Sequence, residues 1–175
     1  MLEGKNITLR PLKIEDIQYF HQWRNNIQIK ELAMLHPFPV TNEQEIEWYN
    51  SIANKKDNKI IFFTIVDKNN NVLGYTQLLN INWVNRNCYF GIIIGDTENR
   101  GKGIGKEVTE LMTDYAFKTL NLRKILLEVL STNTNAIKLY ENLGFVSEGV
   151  LKEHAFIKGV YHDVLVMAKI EEKYE

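Results

Sequence analysis

A glycine-rich segment at residues 100–105 separates a short apolar stretch from an amphipathic one. The apolar stretch, residues 88–94, ends in three consecutive isoleucines, which are typical of a buried strand. The amphipathic stretch has apolar residues at helical spacing, namely Val108, Leu111, Met112, Tyr115 and Ala116. Glycines at a strand-to-helix junction let the backbone approach a ligand closely, and the free N–H groups of the first helical turn attract an anion. The segment therefore predicts an anion site that fits a pyrophosphate.

Two familiar phosphate-binding loops do not match this segment. A P-loop has four residues between its first glycine and Gly-Lys-Ser/Thr, and the dinucleotide fingerprint is Gly-x-Gly-x-x-Gly. Arg100-Gly101-Lys102-Gly103-Ile104-Gly105 follows neither pattern, which disfavours nucleotide hydrolysis and hydride transfer. An ordinary flexible turn with two surface cations explains the same residues equally well, so the segment alone does not establish a ligand site.

The remaining sequence alternates between strand and helix patterns. Extended patterns rich in β-branched and aromatic residues predict strands at residues 6–10, 59–67, 72–81, 88–94 and 124–130, and two more joined near Lys158-Gly159. Apolar residues at helical spacing predict helices at residues 14–21, 27–35, 46–53, 108–116 and 136–143, the third preceded by a Thr41/Gln44 capping box. This order predicts a single α/β domain over residues 1–175, with a mixed sheet of about seven strands.

A second distinctive segment, residues 133–145, follows the predicted strand that ends at Leu130. Asn133 is suited to cap the helix that begins there, and Gly144 is placed to end it. Tyr140 falls on the apolar stripe of the same helix, where a tyrosine is more often a core residue than a catalyst. Local structure alone thus explains both Asn133 and Tyr140.

Charge and composition argue against several classes of protein. The chain has 21 lysines and arginines against 22 aspartates and glutamates, so it lacks the positive field that nucleic-acid binding needs. Cys88 is the only cysteine, no apolar run approaches the roughly 20 residues of a membrane span, and residues 1–6 lack the apolar centre of a signal peptide. We expect a cytoplasmic protein without nucleic-acid or membrane partners. We also expect no metal site, because metal-ligand spacing is absent among His21, His36, His154 and His162.

Two sequence blocks, in this order, resemble the signatures of the GNAT N-acetyltransferases. Arg100-x-x-Gly103-x-Gly105 resembles the loop that binds the pyrophosphate of acetyl-CoA in that family. Asn133-x-x-Ala136-x-x-x-Tyr140 with Leu143-Gly144-Phe145 resembles the family's second block. Residues 9–16 and 148–163 are similar to its opening and closing elements, so the resemblance covers nearly the whole chain. Residues 81–94 look most like bacterial spermidine acetyltransferases and their relatives that acetylate the N-termini of ribosomal proteins.

The resemblance implies a GNAT fold, in which a mixed, mostly antiparallel sheet flanked by helices is splayed between its two central strands. It implies that acetyl-CoA is bound through Ile92, Ile93, Ile94, Arg100, Gly101, Lys102, Gly103, Ile104, Gly105, Asn133, Ala136 and Tyr140. The strand backbone would hold the pantetheine arm and polarise the thioester carbonyl. As catalytic residues, Tyr140 would protonate the departing thiolate and Asn133 would contact the pantetheine or order nearby water. Relatives often form dimers or larger rings, so a homodimer or larger homo-oligomer is expected.

The acceptor is left open by the sequence. The resemblance implies direct transfer from acetyl-CoA to a primary amine of a small molecule, such as a polyamine or an aminosugar nucleotide. The alternatives are N-terminal acetylation of a ribosomal or other protein, and a noncatalytic acyl-CoA-binding module. Polyamine enzymes carry acidic residues where this chain has Leu35-His36-Pro37-Phe38, although Glu31 and Glu43 are near in sequence and can partly substitute.

The general base is left open as well. An alkylamine with a pKa of about 10.4 is mostly protonated at neutral pH, so a proton must be removed before the amine attacks. Tyr89 stands where many relatives of the family have a glutamate. We favour a chain of water molecules that passes protons to solvent, with Glu128 and Glu31 as alternative side chains.

Overall fold

The computed structural model describes residues 1–55, 58–95, 97–99 and 101–171. Within these residues, one sheet contains the strands β1 (Leu2–Glu3), β2 (Ile7–Arg10), β3 (Ile61–Asp67), β4 (Val72–Asn82), β5 (Asn87–Ile94), β6 (Lys124–Leu130), β7 (Val146–Ile157) and β8 (Val160–Ile170). The sheet is flanked by the helices α1 (Ile17–Asn25), α2 (Ile27–Leu32), α3 (Asn42–Ala53), α4 (Ile104–Asp114) and α5 (Thr134–Asn142). A 3-10 turn at Ile14–Asp16 leads into α1, another lies at Thr97–Asn99, and a π-helical turn at Tyr115–Thr119 continues α4.

The strands lie in the spatial order β1-β2-β3-β4-β5-β6-β8-β7. Neighbouring strands are antiparallel except β5 and β6, which are parallel and lie near the centre of the sheet. The mixed, mostly antiparallel α/β sheet expected from the sequence is confirmed. The sequence pattern missed β1, whose residues Leu2 and Glu3 pair with Leu9 and Thr8, so the sheet has eight strands among the described residues instead of about seven.

The second helix is shorter than its sequence pattern predicts. The prediction of a helix over residues 27–35 is wrong at its C-terminal end, because α2 stops at Leu32. Met34 has a left-handed backbone with a φ of 51°, and the buried ammonium group of Lys30 donates to the carbonyl oxygen of Phe38. The chain therefore folds back over the end of α2, and these contacts outweigh the helical pattern of the sequence.

The two faces of the sheet carry separate clusters of buried side chains. Strand residues alternate between the faces, so Phe90 and Ile93 of β5 belong to different clusters. The cluster that contains Phe90 packs against α4 and α5, for example through Met112 and Tyr140. The cluster that contains Ile93 packs against α1, α2 and α3, with Phe20 at its centre. We call these the α4–α5 face and the α1–α3 face.

The two parallel strands pair over a short length. The paired positions of β5 and β6 are Asn87 with Lys124, Cys88 with Ile125, and Tyr89 with Leu126. Beyond them, β5 stays on β4 as far as Ile94, and β6 stays on β8 as far as Leu130. The gap between the two strands, which we call the wedge, opens towards their C-terminal ends. The splayed sheet that the family resemblance implies is therefore present.

A buried ion pair fixes the segment before α1 to the sheet. Arg10, at the end of β2, donates one hydrogen bond to each carboxylate oxygen of Asp16, both of 2.7 Å. The hydroxyl of Thr64 and the backbone N–H of Lys13 donate to the same carboxylate. Burial raises the pKa of Asp16, but the hydrogen bonds from Arg10, Lys13 and Thr64 outweigh burial and hold this pKa below its ordinary value.

We predict that Asp16→Ala lowers the free energy of unfolding by about 3–5 kcal/mol, because it leaves the Arg10 guanidinium buried without a counter charge. Urea denaturation at neutral pH measures the effect. Because the folded pKa of Asp16 is depressed, its contribution is present above the unfolded pKa and is lost as pH falls through the folded pKa. The control, Glu110→Ala, removes an exposed partner 4.0 Å from Lys106 and should change stability by less than about 0.5 kcal/mol. Equal losses of unfolding free energy in the two variants contradict the role of Asp16 as the counter charge of buried Arg10.

Candidate active site

Backbone groups of β5 face the wedge at alternate residues. The N–H of Gly95, the residue after β5, donates a hydrogen bond of 2.9 Å to the carbonyl oxygen of Leu73 in β4. In an antiparallel ladder with this register, Ile93 directs its N–H and C=O towards β4, whereas Ile92 and Ile94 direct theirs towards the wedge. The backbone of Ile92 is thus placed to meet a ligand in the wedge. Ile93 contributes its buried side chain to the α1–α3 face.

The glycine-rich loop turns sharply before α4. Gly101 and Gly103 have φ angles of 77° and 81°, in the left-handed region that favours glycine. Gly103 is the N-cap residue of α4, and no side chain of the described chain caps the helix. The N–H groups of its first turn, from Ile104 onwards, are therefore available to an anion. Lys102 is exposed in this loop, and Arg100, which the resemblance also assigns to the site, lies outside the described residues.

The open space around the loop fits a bulky anion. A Cβ atom built on Gly101 or Gly103 would meet no atom of the described chain within 4 Å. A Cβ atom on Gly105 would lie 3.4 Å from the Cδ2 atom of Leu139, where α4 packs against α5. The first two glycines therefore leave surface open beside the helix N-terminus, as a pyrophosphate requires, and the third lets the two helices approach each other.

The acidic residue in the first turn of α4 is held by another part of the fold. The carboxylate of Glu107 accepts hydrogen bonds from the backbone N–H and the side-chain amide of Asn6, of 2.8 and 3.0 Å. Burial raises the pKa of Glu107, but these bonds and one from the N–H of Ile7 outweigh burial and keep the pKa below its ordinary value. A Cβ atom on Gly4 would collide with this carboxylate. Glu107 thus anchors the β1–β2 turn.

Helix α5 holds Tyr140 against β5 beside the wedge. The ring centroid of Tyr140 lies 6.5 Å from that of Phe90, the residue that follows the last β5–β6 pair. The residue is 8% exposed, and burial raises its pKa to about 12, so the phenol stays protonated at neutral pH. Among the described residues, only Glu45 has a buried side-chain oxygen without a hydrogen-bond partner. The hydroxyl of Tyr140 has no hydrogen-bond partner among the described residues and is not one of these fully buried atoms. It therefore borders accessible space.

Both ends of α5 are formed as the sequence predicts. The side-chain oxygen of Asn133 accepts a hydrogen bond of 3.3 Å from the backbone N–H of Ala136, which confirms the capping role of Asn133. At the other end Gly144 has a φ of 85°, and the N–H of Phe145 donates to the carbonyl oxygen of Tyr140, as in a Schellman motif. The contacts of Asn133 and Ala136 with acetyl-CoA stay predictions.

The α1–α3 face presents a second set of groups at the wedge. Gly91 of β5 and Glu128 of β6 each lie two residues beyond the last β5–β6 pair. The exposed carboxylate of Glu128 lies on the α1–α3 face, because side chains alternate along the strand. The side chain of Gln77 of β4 lies beside Gly91, since a Cβ atom on Gly91 would be in van der Waals contact with it at 3.4 Å. Glu31 of α2 forms an ion pair with Lys158, with 2.9 Å between its Oε2 atom and the Lys158 Nζ atom. An exposed carboxylate therefore lies at the wedge on the face opposite Tyr140.

Other reactive groups of the described chain are less suited to chemistry. Cys88 is buried at the base of β5, and burial raises the pKa of its thiol to about 12, so it is not a thiolate at neutral pH. No three or more His, Cys, Asp or Glu side chains among residues 1–55, 58–95, 97–99 and 101–171 are grouped to hold a metal ion. Over the same residues, no helix has the length and apolar character of a membrane span.

The sequence and the fold both match a known family. Residues 6–146 match the family model of the acetyltransferase (GNAT) domain. The chain is 38% identical over 171 residues to a spermidine N(1)-acetyltransferase of Vibrio cholerae, an alignment that covers 98% of this chain and 96% of that protein. The chain therefore belongs to the GNAT acetyltransferase family. It is an acyltransferase that uses acetyl-CoA as acetyl donor, as its two sequence blocks predict.

Solved structures of related enzymes agree with the sheet and helices described above. A crystal structure of the Vibrio cholerae spermidine N-acetyltransferase in complex with CoA and spermine superposes with a TM-score of 0.87, at 36% identity, covering 94% of this chain and 95% of that one. A dodecameric structure of the same enzyme in an intermediate state superposes with a TM-score of 0.80, covering 94% and 93% of the two chains.

Sequence reasoning missed several residues that shape the site. Phe90, which packs against Tyr140, and Leu139, which lies beside Gly105, stand out in the sequence only as members of apolar patterns. No sequence pattern predicts the contact of Glu107 with Asn6. The position of Glu107 in the first turn of a helix indicates a favourable interaction with the helix dipole. The sequence does not indicate that its carboxylate binds a turn 100 residues earlier.

We predict that Gly103→Ala weakens CoA binding by about tenfold or more, because the new methyl group fills the space in front of the helix N-terminus and strains the loop. Calorimetric titration with CoA measures the dissociation constant. Gly159→Ala is the matched control, since Gly159 has a φ of 79° and open space around its Cβ position. It should lose the same stability, about 1–2 kcal/mol, with unchanged CoA affinity. An unaltered dissociation constant in Gly103→Ala rules out the loop as the pyrophosphate site.

Proposed function

We propose that the chain transfers the acetyl group of acetyl-CoA to a primary amine of a polyamine. The observation that carries the proposal is the wedge, which has proton-donating and anion-binding groups on one face and the exposed carboxylate of Glu128 on the other. The similarity to spermidine acetyltransferases over nearly the whole chain supports the choice of acceptor. We place the acceptor on the α1–α3 face, so that the two substrates meet between β5 and β6.

On the α4–α5 face, each group has a role that follows from its chemistry. The N–H groups at the start of α4 bind the diphosphate of the acetyl donor, which supplies the activated acetyl group. The backbone of Ile92 binds the pantetheine arm, and a backbone N–H of β5 there stabilises the oxyanion that develops at the thioester carbonyl. The protonated phenol of Tyr140 donates its proton to the thiolate as the C–S bond breaks.

On the α1–α3 face, carboxylates compensate the charges of the acceptor. A polyamine needs them, because ammonium groups that lose water without a counter charge are costly to bury. Glu128 at the wedge and Glu31 on α2 provide two such groups. We propose that the exposed carboxylate of Glu128 accepts the proton of the attacking amine, directly or through a water molecule, and passes it to solvent.

We further propose that the chain forms a homo-oligomer in the cytoplasm. β7 is an edge strand of the described sheet, and its apolar side chains Val146, Val150 and Phe156 are 62%, 46% and 64% exposed. A long edge with exposed apolar side chains is suited to pair with another chain. The dodecamer formed by the Vibrio cholerae enzyme supports assembly, and a single buried thiol suits a reducing compartment.

Thiol release from acetyl-CoA, measured against a panel of amines, tests the acceptor. We expect turnover with spermidine and spermine, and much slower turnover with an aminosugar nucleotide, free amino acids and N-terminal peptides, because the carboxylates of the α1–α3 face favour polycations. Preference for the peptides would indicate modification of protein N-termini. CoA binding without thiol release with any amine would indicate a noncatalytic module.

We predict that Tyr140→Phe lowers kcat by about 10²-fold and leaves the dissociation constant of CoA nearly unchanged, the result of removing a general acid. Because burial raises the pKa of Tyr140 to about 12, deprotonation of this residue should cause no decline of kcat between about pH 7 and 10. Steady-state kinetics over this range checks both points. Tyr115→Phe is the control, since Tyr115 packs edge-on against Phe63 and should keep full activity. Equal activity of both variants removes Tyr140 from the mechanism.

A further inference from the structure

An ion pair links two distant parts of the chain. The ammonium group of Lys158 lies 2.9 Å from Oε2 of Glu31, whose side chain is 23% exposed, whereas the side chain of Lys158 is 70% exposed. Lys158 and Gly159 form the turn between β7 and β8, with φ angles of 50° and 79°. Glu31 belongs to α2. The partly buried member of the pair is thus the carboxylate, and the solvent-exposed member is the ammonium group.

The ion pair crosses the open end of the wedge. The last β6–β8 pair joins Leu130 and Val164, so the β7–β8 turn projects beyond the end of β6. On the other side of the wedge, α2 packs over β5, because Ile29 shares a cluster with Ile93. A contact between the turn and α2 must therefore bridge the two sides of the wedge. It lies on the α1–α3 face, where the proposed function places the acceptor.

We infer that Lys158 is a specificity determinant that competes with cationic acceptors for the carboxylate of Glu31. This inference rests on the proposed polyamine acceptor. A partly buried carboxylate at the entrance is a binding site for an ammonium group, and the chain already supplies one from its own turn. An incoming polyamine replaces Lys158 at Glu31, and the displaced lysine returns to solvent at small cost, because most of its side chain is already exposed.

Competition of this kind acts on acceptors that have a second ammonium group for Glu31. A monoamine that reaches the thioester with its single amine has no second charge to exchange for Lys158. A polyamine places one amine at the thioester and keeps another for Glu31. The ion pair therefore raises the apparent KM for polyamines, leaves that for monoamines unchanged, and narrows the difference between the two classes.

Calorimetric titration of spermidine into the CoA-bound protein tests the inference, together with KM for spermidine. Lys158→Met should lower the dissociation constant and KM about threefold without changing kcat, the scale of an exposed ion pair. Glu31→Gln should raise both constants, and in its background Lys158→Met should have no further effect. Lys152→Met is the matched control, because Lys152 lies on the same hairpin, is 77% exposed and pairs with Asp163. It should leave both constants unchanged.

The outcomes separate this inference from the proposed function. Turnover of spermidine with the same dissociation constant in wild type and Lys158→Met overturns the role of Lys158 and leaves the acceptor assignment intact. An equal gain in Lys152→Met reduces the effect to overall charge and also overturns it. Absence of both turnover and binding in all variants overturns the inference and the polyamine assignment together.

Discussion

The parallel pairing of β5 with β6 ends after three residue pairs, and the rest of the site depends on where it ends. Each strand keeps its outer partner, β4 or β8, so the gap between them cannot close by further pairing. Backbone groups that a continuous sheet would satisfy internally then face the gap, as at Ile92. Such groups are costly to leave without a partner, which makes an extended chain with amides, such as a pantetheine arm, a suitable occupant.

The two faces of the sheet present groups of opposite charge. On the α4–α5 face, the start of α4 presents N–H groups to an anion, and Glu107, the acid in its first turn, is held by the β1–β2 turn. On the α1–α3 face, Glu31 and Glu128 present negative charge. We propose that an anionic donor and a cationic acceptor are drawn to opposite faces of one sheet and that their reacting atoms meet in the wedge between them.

Local features of the fold could be predicted from the sequence, because each depends on residues within a few positions. The Thr41 capping box, the Asn133 cap and the turn at Gly144 are of this kind. The contacts that complete the site join residues far apart in the chain, as between Glu31 and Lys158 or Asn6 and Glu107. The spatial order of strands decides these contacts, and no local pattern encodes that order. The extra length predicted for α2 is wrong because the contact of Lys30 with the following loop outweighs the helical pattern.

The most direct test of the account is a crystal structure of the protein with CoA. The account predicts that the diphosphate lies on the N–H groups before and within the first turn of α4, and that the pantetheine arm follows β5 into the wedge. The thiol should then lie within hydrogen-bond reach of the Tyr140 hydroxyl. CoA bound elsewhere with the wedge empty, or a thiol far from Tyr140, would contradict the account.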